Sequence, residues 1–192
     1  MALGIDRVRE ALGGTLPVRT GEPEGTRSAA VAAILRQANE GLEVLFIRRA
    51  ERDGDPWSGH MAFPGGRRAP SDKDLLATAV RETLEEIGVD LERCAELVGV
   101  LDDQDATGRN TAAPLPTRPF VFELLQPQPM TPNHEVCEIF WAPVEPLLLG
   151  ERRTSIDVKY KGESYTLPGW DVEGRVVWGL TYRMLSTLLG RL

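Results

Sequence analysis

Three glutamates, Glu82, Glu85 and Glu86, are spaced i, i+3 and i+4 near the end of a segment with helical periodicity. On a helix their carboxylates are neighbours and repel one another. The macrodipole disfavours negative charge further at a helix C-terminal end. Helix stability therefore gives no reason for the arrangement, whereas a hard divalent cation does. Mg2+ takes oxygen ligands and usually keeps some of its waters. A solvated acidic face is the plain alternative. Just upstream, Phe63-Pro64-Gly65-Gly66 forms a turn where backbone can approach a ligand closely. Arg81, beside Glu82, carries a fork of donors able to orient a carboxylate or to meet a phosphate.

These groups need a helix to hold them. Ser71 and Asp74 have the spacing of a capping box, and Gly88 stands where a helix C-terminal glycine belongs. At about 100° per residue, Leu76, Val80, Thr83 and Ile87 share one stripe, with Leu84 at its edge. The three glutamates fall opposite, so Glu86 is expected at the surface, and Glu86→Gln is expected to leave the fold intact. Around this helix, strands are expected over Ser28–Leu35, Leu42–Arg48, Leu97–Leu101, Phe120–Leu125 and Val136–Trp141, with a short one at Met61–Phe63. A late hairpin is expected around Lys161-Gly162, and helices over Gly4–Leu12, Val144–Leu149 and Gly179–Leu189. The mixed order predicts an α/β or α+β fold, a largely mixed sheet sandwiched between helices. Residues 1–27 read as an N-terminal helix with its connecting segment, and residues 28–192 as the main domain.

The 192 residues are 42% hydrophobic and 27% charged, the balance of a soluble globular chain able to bury a core. The net charge of −7 argues against nucleic-acid binding, which needs a basic face, but not against a nucleotide, because a bound cation reverses the local sign. Cys94 and Cys137 lack metal-site spacing and read as two buried free thiols. No run is long enough to span a bilayer, and the N-terminus has no secretory character, so the cytoplasm is the expected location.

At this point the chain resembles the Nudix hydrolases, whose pattern is G-x5-E-x7-R-E-U-x-E-E-x-G-U, with U a bulky aliphatic residue. Here Gly66 is followed by RRAPSDKDLLATAV and then by Arg81-Glu82-Thr83-Leu84-Glu85-Glu86-Ile87-Gly88-Val89. Thr83 takes an aliphatic position, the spacer is one residue longer, and Asp72 or Asp74 stands near the place of the early glutamate. The resemblance implies the Nudix fold and hydrolysis of a nucleoside diphosphate linked to another group, with Mg2+, or Mn2+ in its place, as cofactor. It implies Glu82 and Glu86 as main metal ligands, Glu85 as a further ligand or a water-orienting group, and the Gly66 carbonyl as completing the shell. Glu135 is the candidate general base, with a plain surface glutamate as the other reading.

The resemblance extends to coenzyme A pyrophosphatases through VLFIRRAERDGDPWSGHMAFPGG, TAVRETLEEIGV, NHEVCEIFWAPVEPLL and VVWGLTYRMLSTLL. That implies cleavage of coenzyme A or acyl-coenzyme A to 3′-phosphoadenosine 5′-phosphate and (acyl-)phosphopantetheine. The loop before Phe63 departs from the subfamily signature at Pro56-Trp57 and Gly59-His60. Another nucleoside diphosphate derivative such as ADP-ribose is therefore the alternative substrate, and a non-catalytic nucleotide-binding module the third reading. Arg48, Arg49, Trp57, His60, Phe63 and Gly65 are the candidate substrate contacts. Solubility charge, for the arginines, and packing under its own loop, for Trp57, are the bland alternatives. His134 reads as a surface histidine and Trp141 and Trp178 as core or interface residues. The partners implied are a small nucleotide substrate and neither nucleic acid nor membrane, with a homodimer left open.

Overall fold

A computed structural model of the chain describes residues 3–14, 17–19, 27–52, 58–106, 114–160 and 162–192. The elements run α1 (Ile5–Gly13), β1 (Ala29–Ala38), β2 (Gly41–Arg49), β3 (Met61–Ala62), β4 (Gly65–Arg67), α2 (Leu75–Ile87), α3 (Leu91–Cys94), β5 (Ala95–Val100), β6 (Gln104–Asp105), β7 (Pro116–Leu124), β8 (Val136–Pro143), α4 (Val144–Leu148), β9 (Arg153–Tyr160), β10 (Glu163–Val172), β11 (Arg175–Trp178) and α5 (Gly179–Leu189). The main sheet has the order β3-β2-β1-β7-β5, with β4 on β1, β6 on β7 and β8 on β2. The pair β1–β7 is parallel and its neighbours are antiparallel, so the sheet is mixed as expected.

Strands β1 and β2 pair only near their hairpin, from Ala38–Gly41 to Leu35–Val44. Beyond that they splay. There β3 takes over the edge of β2 at Ile47 and Arg48, and β4 takes over the edge of β1 at Ala29–Val31. Pro64 bridges the two through its carbonyl, which accepts from Ala32 N–H at 2.8 Å. The gap between two diverging strands is thus where the Phe63-Pro64-Gly65-Gly66 turn sits.

Alternation along the strands separates two cores. One face carries Ala30, Ala32, Ile34, Leu45 and Ile47 against α2 and α3. The other carries Ala33, Leu35, Val44 and Phe46 against α1, α4, α5 and residues of the three-stranded sheet β11-β10-β9. Helix α1, in the segment expected to precede the main domain, contributes Val8 and Leu12 to this second core. Strand β11 and helix α3, unexpected from sequence, are four residues each, too short for a periodicity to register.

One side-chain expectation is corrected. Cys94 is buried but Cys137 is exposed, because the strand's alternation turns it outward; both are free. Phe63, a candidate substrate contact, is 3% exposed and stacks on Phe46 with ring centroids 5.3 Å apart. No helix among the described residues is long and apolar enough to cross a membrane.

Candidate active site

Helix α2 is started by Asp74, whose side chain accepts from Ala77 N–H at 2.8 Å, and stopped by Gly88 at φ 74°. Ser71 is not the cap. The buried stripe is rotated from the expected one: Leu75, Ala79, Thr83 and Ile87 face the sheet, while Leu76 and Val80 are half-buried. The reason is steric. Ala79 lies over the alanines of β1, and such small side chains let helix and sheet approach closely. Thr83 removes its hydroxyl from play by donating to Ala79 O at 2.7 Å.

That rotation carries Glu86 inward. It is 2% exposed and its Oε2 accepts from Gly65 N–H at 2.9 Å, so the surface position expected for it is overturned. Burial raises its pKa to about 7, opposed by the Gly65 hydrogen bond and by Arg49, and aided by the charges of Glu82 and Glu135. Burial also raises Glu82, against the pull of Arg81. Glu85 lies at the exposed end of the group.

The two glycines answer different demands. Gly65 has φ 150°, and a side chain there would overlap the backbone of Ala30 and Val31. A Cβ on Gly66 would lie 2.5 Å from Glu82 Cδ, the movable end of a side chain. Gly66→Ala is therefore expected to fold with nearly unchanged melting temperature while pushing the Glu82 carboxylate aside. Activity should fall by about 10–100-fold with a raised requirement for divalent cation. Metal titration of activity beside a thermal melt checks this, and an unaltered cation requirement would contradict it.

Arg81 is committed within the protein. Nε and Nη2 donate to the two oxygens of Asp72, each at 2.9 Å, Nη2 also reaches Arg67 O at 3.1 Å, and Nη1 lies 3.0 Å from both Glu82 and Glu85. Of its two expected uses, the structure displays the orientation of carboxylates. Asp72, 7% exposed, also accepts from Ala69 N–H and the Thr78 hydroxyl. The Arg81 guanidinium holds its carboxyl well below the usual range. Of the two aspartates left open near the early-glutamate position, Asp72 thus meets Arg81 and Asp74 caps the helix.

A distant segment completes the cluster. Thr131 N–H donates to Ile87 O and Asn133 N–H to Glu86 O, both at 2.9 Å, hanging residues 131–135 from the carbonyl end of α2. Asn133 Oδ1 then accepts from Glu135 N–H at 2.7 Å, and the Glu135 carbonyl accepts from Ala50 N–H at 2.7 Å. The charge of Glu135 reaches both Glu82 and Glu86. Arg52, not among the candidates drawn from the sequence, donates to Glu135 Oε1 at 3.1 Å.

The structure thus gathers Glu82, Glu85, Glu86, Gly65, Gly66, Arg81, Glu135 and Arg49. It does not gather Arg48, which strand alternation sends to the other face of β2. There it pairs with Glu138 at 3.4 Å, a carboxylate also held by Arg175 of β11. His60 packs on Trp178 with centroids 4.4 Å apart, so its ring meets β11. His134 is exposed, as expected, and Trp57 lies outside the described residues.

A profile of the NUDIX domain matches residues 26–160. The chain belongs to the Nudix family. Its relatives include an uncharacterised protein of Schizosaccharomyces pombe, 45% identical over 60% of this chain and 36% of that one. They also include the mitochondrial coenzyme A diphosphatase of Homo sapiens, 33% identical over 80% of this chain and 64% of that one. The chain spans about a third to two thirds of the length of these curated relatives. The crystal structure of a NUDIX hydrolase from Alicyclobacillus acidocaldarius aligns with TM-score 0.56 and 21% identity over 85% of this chain and 91% of that chain, a likeness of fold.

Nudix hydrolases generally use divalent metal ions, and the Nudix helix here offers a fitting donor set. Its carboxylates are hard oxygen donors whose mutual repulsion and burial a cation relieves. Among the described residues no three acidic, imidazole or thiol groups close around one point.

Proposed function

We propose that this chain hydrolyses the diphosphate bond of coenzyme A or an acyl-coenzyme A in a Mg2+-dependent reaction, releasing 3′-phosphoadenosine 5′-phosphate and (acyl-)phosphopantetheine. The observation that supports the hydrolytic part is the placement of Glu86 and Glu82 against the Gly65-Gly66 backbone, Glu86 accepting from Gly65 N–H at 2.9 Å, with burial and repulsion raising both helix glutamates. The substrate assignment is supported by the motifs shared with coenzyme A pyrophosphatases and by the human relative named for coenzyme A.

Glu82 and Glu86, with Glu85 and the Gly66 carbonyl, would hold the metal. Bound there, the ion would neutralise phosphate oxygens and lower the pKa of the attacking water. Glu135 takes the proton of that water. Arg81 holds Glu82 and Glu85 from behind while anchored on Asp72, so the carboxylates keep their orientation as charge builds up. Arg49, on the same face, supplies positive potential to the phosphates. The cytoplasm is part of this reading as the place of action.

A hydrolysis screen tests it, with coenzyme A, acyl-coenzyme A, ADP-ribose, NADH and diadenosine polyphosphates offered with Mg2+ and products separated by chromatography. Coenzyme A is expected to be preferred, with release of 3′-phosphoadenosine 5′-phosphate. EDTA should stop turnover and Mn2+ should restore it. Preference for ADP-ribose would replace the substrate assignment and keep the chemistry; no turnover on any compound would overturn both.

A further inference from the structure

Arg52 stands on the boundary between two parts of the site. Its own backbone is pinned: its N–H donates to the Ser58 hydroxyl at 2.8 Å, and two residues earlier Ala50 N–H donates to Glu135 O. Its guanidinium is not pinned in the same way. It meets the Glu135 carboxylate at 3.1 Å and, more weakly, the His134 carbonyl at 3.5 Å, with the side chains of the ion pair 42% and 35% exposed. A solvent-facing pair of this kind contributes little and is easily exchanged. A phosphate is the stronger partner for a guanidinium, because it accepts two parallel hydrogen bonds from the fork.

The neighbouring charges make such an exchange useful. Arg81 is taken by Asp72, Glu82 and Glu85, so it has no fork left for a phosphate. Glu135 is tied to the same helix end: its N–H donates to Asn133 Oδ1 at 2.7 Å and Asn133 N–H donates to the Glu86 carbonyl at 2.9 Å, so it sits beside the residues that would hold a diphosphate. While Arg52 holds Glu135, one of the carboxylate's oxygens, Oε1, is occupied by a donor.

We propose that Arg52 is a phosphate-responsive positioning residue: it holds Glu135 in the free protein and exchanges it for a substrate phosphate oxygen on binding, which releases Glu135 to act. The exchange is one of ionic partners, with no covalent bond made or broken. It rests on the diphosphatase reading given above, and on Glu135 in particular. It also ties substrate recognition to the readiness of the site, since a ligand without a phosphate within reach of Arg52 leaves Glu135 held.

The test is a double-mutant cycle read by binding and by turnover. The probe for binding is adenosine 5′-(α,β-methylene)diphosphate with Mg2+, measured by calorimetry on the full chain. Arg52→Ala should weaken binding by about tenfold. Glu135→Gln should tighten it several-fold, because Arg52 is then uncontested, and that gain should vanish in the double variant. In turnover, Arg52→Ala should raise KM more than it lowers kcat, and Arg52→Lys should recover most of the loss; Glu135→Gln should lower kcat. Arg52 is exposed and Glu135 only half-buried, so a thermal melt is expected to place all variants near the parent. Equal tightening by Glu135→Gln in either background would overturn the exchange, since Glu135 would then act on the ligand directly. Turnover with additive effects removes the proposal and leaves the diphosphatase reading standing. Binding with the non-additive pattern but no hydrolysis removes that reading and leaves the exchange standing. No binding at all overturns both.

Discussion

Exchanging Glu86 for glutamine is expected to lower kcat/KM by about 100-fold or more while making the metal-free protein more stable above pH 7. Both effects come from one placement. The carboxylate is 2% exposed, hydrogen-bonded to Gly65 N–H, and close enough to Glu82 and Glu135 to feel their charge. Its pKa rises from 4.5 to about 7 in the folded chain. Between those values the folded state binds a proton that the unfolded state has released. Stability of the metal-free protein therefore falls as pH rises through that window and stays low above it. Glutamine keeps an oxygen for Gly65 N–H but carries no charge, so this loss disappears. Mg2+ should raise the melting temperature of the parent at pH 8 and leave that of the variant nearly unmoved. Melts with EDTA and with Mg2+, run beside the turnover assay, decide the matter. Retained activity, or equal stabilisation by Mg2+, would remove Glu86 from the ligand set.

The second large effect is expected at Asp72. Its carboxylate takes two hydrogen bonds from Arg81, one from Thr78 and one from Ala69 N–H, while its side chain is 5% exposed. Asp72→Ala leaves the Arg81 guanidinium without its main partner in a partly buried place, at a cost of about 3 kcal/mol. For a chain of this size that is a fall in melting temperature of roughly 10 °C. Activity should suffer as well. Freed from Asp72, Arg81 can close on Glu82 and Glu85, so more Mg2+ is needed to compete for them. The pH dependence has the opposite sign to that of Glu86. Arg81, by hydrogen bonding, depresses Asp72 below its ordinary value of 3.8. The stability it contributes is fully present above that value and lost as pH falls below it. The acid limb of the parent's stability curve should therefore be shallower in Asp72→Ala. An unchanged melting temperature, or an unchanged Mg2+ requirement, would show that Asp72 does not position Arg81.

The elements that were readable had local causes. The central helix announced itself by 3.6-residue periodicity and by Gly88, and the β1–β2 and late hairpins by turn residues between apolar runs. Helix α5 has the bounds expected of it, Gly179–Leu189. Periodicity could not fix the rotation of the central helix, because Leu75 and Leu76 are equally apolar and only the alanines of β1 beneath choose between them. Composition could not separate Arg48 from Arg49 or assign Phe63, because each depends on which face of a strand meets which layer.

By itself, the sequence determined the chemistry available: three carboxylates one turn apart, an arginine beside them, two glycines upstream and the family pattern that unites them. Such information is carried by residue type and spacing along one helix. What only the tertiary structure decided is which carboxylate is buried, which aspartate meets Arg81, and that residues 131–135 hang from the end of α2 to bring Glu135 and Arg52 together. Those outcomes depend on hydrogen bonds between segments tens of residues apart. No local pattern encodes them, because each group's partner is set by where the sheet places the other strand.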